Sequence, residues 1–243
     1  MFSVSGCGKW RVWADGAFRV KLLIVGASGL VGSHVLRHAL ADERVSEVVA
    51  PSRRALAEHP KLLAPLVDFE LLPSDAAWWQ ADAVICALGT TMKSAGSREA
   101  FRRVDHDYPN AVAKLARQHG TPVYVLNSAV GADAQSRFFY NQVKGELERD
   151  LAACGFASLT YVRPGLISGP RQEFRLGERA AECVLKVLGP LLPKKWRANP
   201  ADNIARALLE AAIVARPGVQ VVRSESMAPY SQKKAAPVKE SPF

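Results

Sequence analysis

Apolar and polar positions along this chain follow two periods that trade places at regular intervals. Val20–Val25 is a short run of mostly branched apolar residues ending in glycines, the pattern of a strand buried on both faces. Leu30–Leu40 then repeats Leu30, Val31, Val35, Leu36 and Leu40 at helical spacing. Further strands are expected at Glu47–Ala50, Val67–Leu72, Ala83–Leu88, Pro122–Leu126, Ser158–Val162 and Val219–Val222. Helices are expected at Arg98–Gln118, stopping at Gly120, and at Phe139–Ala153, Glu178–Val187 and Ala201–Ala212. Pro164–Leu176 carries turn signals and reads as a loop. Strands separated by helices imply crossover connections and a parallel sheet. The fold class is therefore α/β: a Rossmann-type, doubly wound parallel sheet in a single domain.

Length and charge refine this picture. The 243 residues suit one such sheet, with residues 20–224 as the folded domain. Residues 1–19 read as a disordered or extended leader, because Lys9, Arg11 and Asp15 interrupt the apolar run that a signal peptide needs. Residues 225–243, rich in Pro, Ser, Lys and Gln, read as a disordered tail. No apolar run approaches the roughly 18–20 residues of a membrane span. Residues 1–21 hold four bases against one acid and residues 223–243 four against two, so more than half of the net charge of +9 sits on the ends. No basic helix with interleaved aromatics accompanies it, so a nucleic-acid partner is not expected. The four cysteines lie far apart and the histidines show no ligand spacing, so neither a disulfide framework nor a metal site is expected. Reduced thiols point to the cytoplasm. Cys86 reads as core, Trp78–Trp79 as a packing patch and His106 as a helix-surface residue. Residues 171–175 read equally as a surface loop or a substrate clamp.

The first strand runs straight into Gly26-Ala27-Ser28-Gly29-Leu30-Val31-Gly32. In such a turn Gly26 permits the bend, Gly29 lets the backbone approach a pyrophosphate, and Gly32 lets the helix sit close to the sheet. The helix N-terminus then offers free N–H groups to the phosphates. A glycine motif alone is weak; one that follows a buried strand and opens an amphipathic helix has the context it requires. After the second strand, where an acidic residue would bind a ribose 2′-hydroxyl, the chain has Pro51-Ser52-Arg53-Arg54. Guanidinium pairs with phosphate, so Arg53 and Arg54, with Ser52 as a further donor, suit the 2′-phosphate of NADP(H). The alternative is two exposed surface arginines.

Ser128 ends the fifth strand, and Tyr140 and Lys144 follow at i, i+4 on one helix face. Hydride addition to a carbonyl leaves oxyanion character that needs a proton. A free tyrosine titrates near 10, and an adjacent ammonium lowers that value. Tyr140 would be the acid/base, Lys144 its tuner and a ribose anchor, and Ser128 the hydroxyl that orients the carbonyl. The alternative is a buried tyrosine with a surface lysine.

These residues together resemble the short-chain dehydrogenase/reductase superfamily, and within it the atypical subgroup typified by the Tat-interacting-protein oxidoreductase. The resemblance also rests on Cys86–Thr91, Val104–Tyr108, Gly131–Asp133, Tyr140–Glu146, Arg163-Pro164-Gly165 and Pro170–Glu173, and covers about Lys21 to Ile213. It implies that Gly26, Ser28, Gly29, Leu30, Val31 and Gly32 line the cofactor diphosphate. Ser52, Arg53 and Arg54 would select NADP. Leu88, Gly89 and Thr90 would flank the adenosine or ribose, and Pro164, Gly165, Leu166 and Ile167 would lie along the nicotinamide. Ser128, Tyr140 and Lys144 would be catalytic. The helix asparagine of classical members is not placed in this sequence, and no proton-relay asparagine is assigned. The resemblance also implies pairing into a homodimer.

The leading expectation is an NADP(H)-dependent reductase or dehydrogenase of a small carbonyl or alcohol. A second is an NADPH-binding regulatory module that reports redox state to a protein partner with little turnover. A third, weaker one is an NADP-linked epimerase or dehydratase.

Overall fold

The computed structural model describes residues 19–168 and 199–227. Its centre is a seven-stranded, all-parallel sheet made of β1 (Val20–Val25), β2 (Val45–Val49), β3 (Leu62–Leu63), β4 (Ala83–Cys86), β5 (Val123–Asn127), β6 (Ser158–Arg163) and the last strand, Gly218–Arg223. Ile167–Ser168 and Asn199–Pro200, β7 and β8, pair in a separate two-stranded ribbon, which makes the last strand β9. The order β3-β2-β1-β4-β5-β6-β9 reverses direction between β1 and β4. In an open α/β sheet that switch point, at the carboxyl ends of the strands, is where a ligand crevice forms.

Strand alternation divides the core. Leu22, Ile24, Ile85 and Val125 face α1 (Leu30–Ala41) and α6 (Ala201–Val214), whose Val31, Val35, Ile204 and Leu208 are buried against them. Leu23, Val25, Val84 and Leu126 face the opposite layer, which holds α4 (Tyr108–Gln118) and α5 (Phe139–Ala152) with Val112, Leu147 and Leu151. Helices thus cover both faces, and the doubly wound, single-domain reading stands.

Three expectations need correction. The third strand is Leu62–Leu63, paired with Val48 and Val49, and not Val67–Leu72. Pro65 removes a donor from the extension, and only an isolated bridge from Ser52 to Leu66 follows. Asp68 then turns the chain by accepting the Glu70 N–H (2.9 Å). The expected helix Arg98–Gln118 is three pieces: α3 (Arg98–Arg102), a π-helical turn Arg103–Asp107, and α4. Pro109 explains the break, since it has no N–H to give the Asp105 carbonyl and the i→i−4 ladder cannot pass it. A short α2 (Met92–Ala95), capped by Thr91, precedes them. Finally, residues 225–227 belong to the folded part: Ser224–Met227 forms a 3₁₀ turn, and Met227 is buried in the core beside α6. The helix expected at Glu178–Val187, the segment 171–175, most of the leader and residues 228–243 lie outside the described residues.

Candidate active site

The glycine turn is built by contact. Gly26 has φ +87, and a Cβ there would stand 2.7 Å from the Leu88 nitrogen, so the turn lies directly on the chain leaving β4. A Cβ on Gly32 would lie 2.0 Å from the Gly26 carbonyl oxygen. The turn closes on itself through the Gly29 N–H, which donates to the Gly26 carbonyl (3.0 Å). Helix α1 starts with no side-chain cap and no acid in its first turn. Its first N–H groups and positive dipole end therefore remain available to an anion. Ser28 is exposed beside them, whereas Val31 turns inward to the core. The Asn127 side-chain oxygen, buried at the end of β5 and without a hydrogen-bond partner among the described residues, is one more acceptor at this edge of the sheet. The residues fit a dinucleotide laid across the switch point.

An open groove of about 860 Å³ runs from this turn along α1. Ala27, Ser28, Leu36 and Leu40 line one side, Arg54, Leu56 and His59 the other. Arg53 and Arg54 are both exposed. Ser52 is placed differently from its neighbours. It is buried, and its Oγ accepts the Arg54 N–H (3.3 Å) in a local turn.

The second half of the site sits past β4. Gly89 is exposed, and a Cβ on it would meet Asp105 Oδ1 at 3.3 Å and the Lys144 Nζ at 3.9 Å. Lys144 is buried, with Nζ 2.8 Å from Asp105 Oδ1. Asp105 is only 1 % exposed and accepts the Thr90 N–H on its other oxygen (2.8 Å). Tyr140, one turn before Lys144, is 41 % exposed and leans on the Phe101 ring (centroids 5.8 Å). Residues 87–89 thus join the glycine turn to the Tyr140–Lys144 pair in one unbroken seam.

The electrostatics differ from the expectation. Burial raises the Tyr140 hydroxyl above its ordinary value, Lys144 lowers it, and Asp105 raises it again, so the net direction is up. Burial works against the Lys144 ammonium, but Asp105 and Tyr140 hold it above its ordinary value. Lysine does pull on the phenol, yet burial outweighs that pull and the aspartate adds to burial. Asp105 lies in a stretch that carries the family resemblance but was assigned no role. Only the π turn, set by Pro109, brings it inward, and helical periodicity alone does not show that.

Ser128 lies at the same strand end but turns elsewhere. Its Oγ donates to Glu148 Oε1 (2.5 Å), a buried carboxylate on α5 that Arg163 grips through Nε (2.9 Å) and Nη2. Among the described residues no hydrogen bond joins Ser128 to Tyr140. In this structure the hydroxyl expected to orient the carbonyl is engaged by Glu148. Pro164 and Gly165 are held at the edge of the site: the Pro164 carbonyl accepts the Val130 N–H (2.8 Å), and the Gly165 N–H donates to Asn199 Oδ1 (2.7 Å). Leu166 and Ile167 are exposed beyond them. Asn199, buried and also bonded to Ser224, is a support that no sequence signal marked.

Two histidine readings change. His106 is buried, its ring between Asp107 (2.8 Å) and Asp150 of α5 (3.1 Å). His34 and His38, four apart on α1, meet Asp202 of α6 closely enough to hold a metal ion. Arg37 (2.6 Å) and Arg206 (2.9 Å) already hold that carboxylate, so the cluster's cation is supplied by the chain itself. Cys86 is buried in β4, and the Trp79 indole N–H, inside the core, donates to the Pro73 carbonyl (2.6 Å).

The family model described as NAD(P)H-binding matches residues 26–183. Protein fmp52, mitochondrial, of Aspergillus niger is 36% identical over 217 residues, covering 84% of this chain and 92% of that protein. The Aspergillus fumigatus protein of the same name is 38% identical over 212 residues, covering 80% and 88%. Among solved structures, MoeE5 in complex with UDP-glucuronic acid and NAD superposes with a TM-score of 0.65 at 21% identity, over 83% of this chain and 75% of that one. At that identity the likeness is one of fold. The relatives' mitochondrial names overturn the cytoplasmic expectation drawn from the cysteines; reduced thiols do not distinguish the two compartments. The matched domain, its glycine turn and the parallel sheet agree on a nicotinamide dinucleotide. The chain belongs to the NAD(P)H-binding family, together with the fungal Fmp52 proteins.

Proposed function

We propose that this chain is an NADP(H)-dependent oxidoreductase that reduces a small carbonyl, with Tyr140 as the proton donor. The observation that carries the reading is the seam across the strand ends: Gly26 packed on Leu88, Gly89 against Lys144, and Tyr140 half-exposed one turn away. The glycine turn and the N-terminus of α1 would hold the diphosphate, and Arg53 and Arg54 the 2′-phosphate. Leu88, Gly89 and Thr90 would flank the ribose, with Pro164 to Ile167 along the far end. The reduced nicotinamide, when bound, supplies a hydride. Tyr140 presents its hydroxyl to the carbonyl oxygen and gives it the proton. Phe101 limits the phenol's swing, and Lys144 holds the floor beneath it. Ser128 enters indirectly, by tying β5 to α5 through Glu148.

The test is NADPH oxidation with a panel of small aldehydes and ketones. Tyr140→Phe should lower kcat by about a hundredfold or more, as loss of a general acid does, while leaving NADPH binding intact. Turnover unchanged in that variant would overturn the mechanism. One observation favours a second reading, a regulatory NADPH-binding module: Ser128, the expected third member of the site, is committed to Glu148. That reading requires tight NADPH binding with no substrate in the panel consumed. An epimerase or dehydratase would turn over substrate without net loss of cofactor. For location this reading follows the relatives, whose names are mitochondrial, and cell fractionation checks it.

A further inference from the structure

The Tyr140–Lys144 pair lies against a third ionisable group that the Tyr-x-x-x-Lys motif does not include. The Lys144 ammonium is shut away from water, and its nearest anion is Asp105 at 2.8 Å. Asp105 is fixed from both sides. One oxygen holds Lys144, and the other takes the Thr90 N–H from the loop after β4. The turn that carries it is clamped to α5 by a flanking ion pair, Arg102–Glu146 (2.5 Å), and a hydrogen bond between the His106 ring and Asp150 (3.1 Å). A buried pair so held acts at a distance as a dipole rather than as a free positive charge.

We propose that Asp105 is a positioning residue that locks the Lys144 ammonium into an internal ion pair, keeps the Tyr140 hydroxyl protonated, and so sets the site to reduce carbonyls rather than to oxidise alcohols. The inference rests on the reductase reading above. The titratable groups that act on Tyr140 are Lys144 from its own helix and Asp105 from the π turn; the Cys86 thiol at the end of β4 faces Lys144. Burial and Asp105 both favour the neutral phenol, and only Lys144 opposes them. In the step this serves, the carbonyl carbon gains a hydride from reduced nicotinamide and the C=O π pair passes to oxygen. That oxygen takes the Tyr140 proton. Alcohol and oxidised nicotinamide leave, and a proton from water restores the phenol. Oxidation would need the tyrosinate at the start, which is the form the pair disfavours.

The experiment titrates Tyr140 in the cofactor-free protein by tyrosine-ring carbon NMR, with Tyr140→Phe to assign the signal. In the unsubstituted protein Tyr140 should titrate above the ordinary tyrosine value of about 10; a midpoint below it overturns the proposal without needing any variant to fold. Asp105→Asn removes the charge and keeps one acceptor oxygen, which can take the Thr90 N–H, while its amide NH2 cannot accept from the Lys144 ammonium. It should bring the Tyr140 midpoint down by about one pH unit, a tenfold change in proton affinity, and move the alkaline limb of the NADPH-driven pH profile by the same amount with KM little changed. An unmoved midpoint in folded Asp105→Asn overturns the proposal. The titration needs no cofactor, so a protein that fails to bind NADPH would sink the reductase reading and leave this result standing on its own.

Discussion

Gly32 and Gly26 are locked together: a Cβ on Gly32 would fall 2.0 Å from the Gly26 carbonyl oxygen, inside any contact a real side chain makes. Gly29, between them, is not so confined. A Cβ there meets only that same oxygen at 3.3 Å, and its φ of −83 is open to any residue.

The two positions should therefore separate folding from binding. Gly32→Ala must push α1 off the sheet and should cost about 1–3 kcal/mol or more, as overpacking does, together with cofactor affinity. Gly29→Ala should keep its melting temperature to within a few degrees but weaken the dinucleotide, because the new methyl stands where the backbone would approach the phosphates. Thermal melts and calorimetry with NADPH on both variants check this. Equal loss of stability in the two would show that the turn is packing alone.

Arg53 and Arg54 are exposed where a 2′-phosphate would lie, and Arg54 lines the groove along α1. Removing one charged hydrogen-bonding partner costs about 1.5–3 kcal/mol, roughly ten- to a hundredfold in Kd. Arg54→Ala should raise the Kd for NADPH by that factor and leave NADH nearly unchanged, with Arg53→Ala in the same direction. Equal weakening of both cofactors would make the arginines surface residues without a role in selection.

The sheet was largely legible because buried parallel strands read as unbroken apolar runs. Val20–Val25 and Ser158–Arg163 match to within a residue. The glycine turn was legible for a related reason: its spacing is dictated by contacts inside a few residues. What failed depends on contacts made at long range or by exclusion. Val67–Leu72 has strand composition, but Pro65 and the Asp68 turn decide its path. Asp105 and His106 look like polar helix-surface residues until the π turn rotates them inward. Asp202 lies more than 160 residues from His34 and His38, so no local spacing could show that the three meet.

That same cluster predicts an acid-sensitive clasp between α1 and α6. Burial works to raise the Asp202 carboxyl, but hydrogen bonds from Arg206 and His38 and the charges of both outweigh it and hold the group well below the carboxylate range. A carboxyl depressed in the folded state binds protons less readily there than in the unfolded chain, so its contribution is present above the ordinary range and lost as pH falls through it. Asp202→Asn should lose about 1 kcal/mol at neutral pH, the scale of a partly exposed pair. The gap between the variant and the parent should close progressively below about pH 4. Denaturant melts at neutral and acid pH measure it; a gap that persists unchanged in acid would place the effect in packing rather than charge.

Ser128 and Arg163 approach the same buried carboxylate from β5 and β6, and the Tyr161 hydroxyl binds the Glu148 backbone carbonyl beside it (2.5 Å). This knot holds α5, and with it Tyr140, against the sheet. Ser128→Ala leaves Glu148 its two contacts from Arg163 and should cost about 1–2 kcal/mol, within the range for a lost buried hydrogen bond, with kcat reduced only a few-fold. Arg163→Met removes the charge partner and should cost about 3–5 kcal/mol, because Glu148 is then buried and unpaired. Glu148→Gln in the Arg163→Met background should restore part of that loss, since the uncompensated charge is gone. Melting temperatures and NADPH-driven kinetics on the three variants check the order. A loss of kcat in Ser128→Ala as large as that in Tyr140→Phe, with stability unchanged, would show that the hydroxyl leaves Glu148 during turnover and acts on the substrate directly.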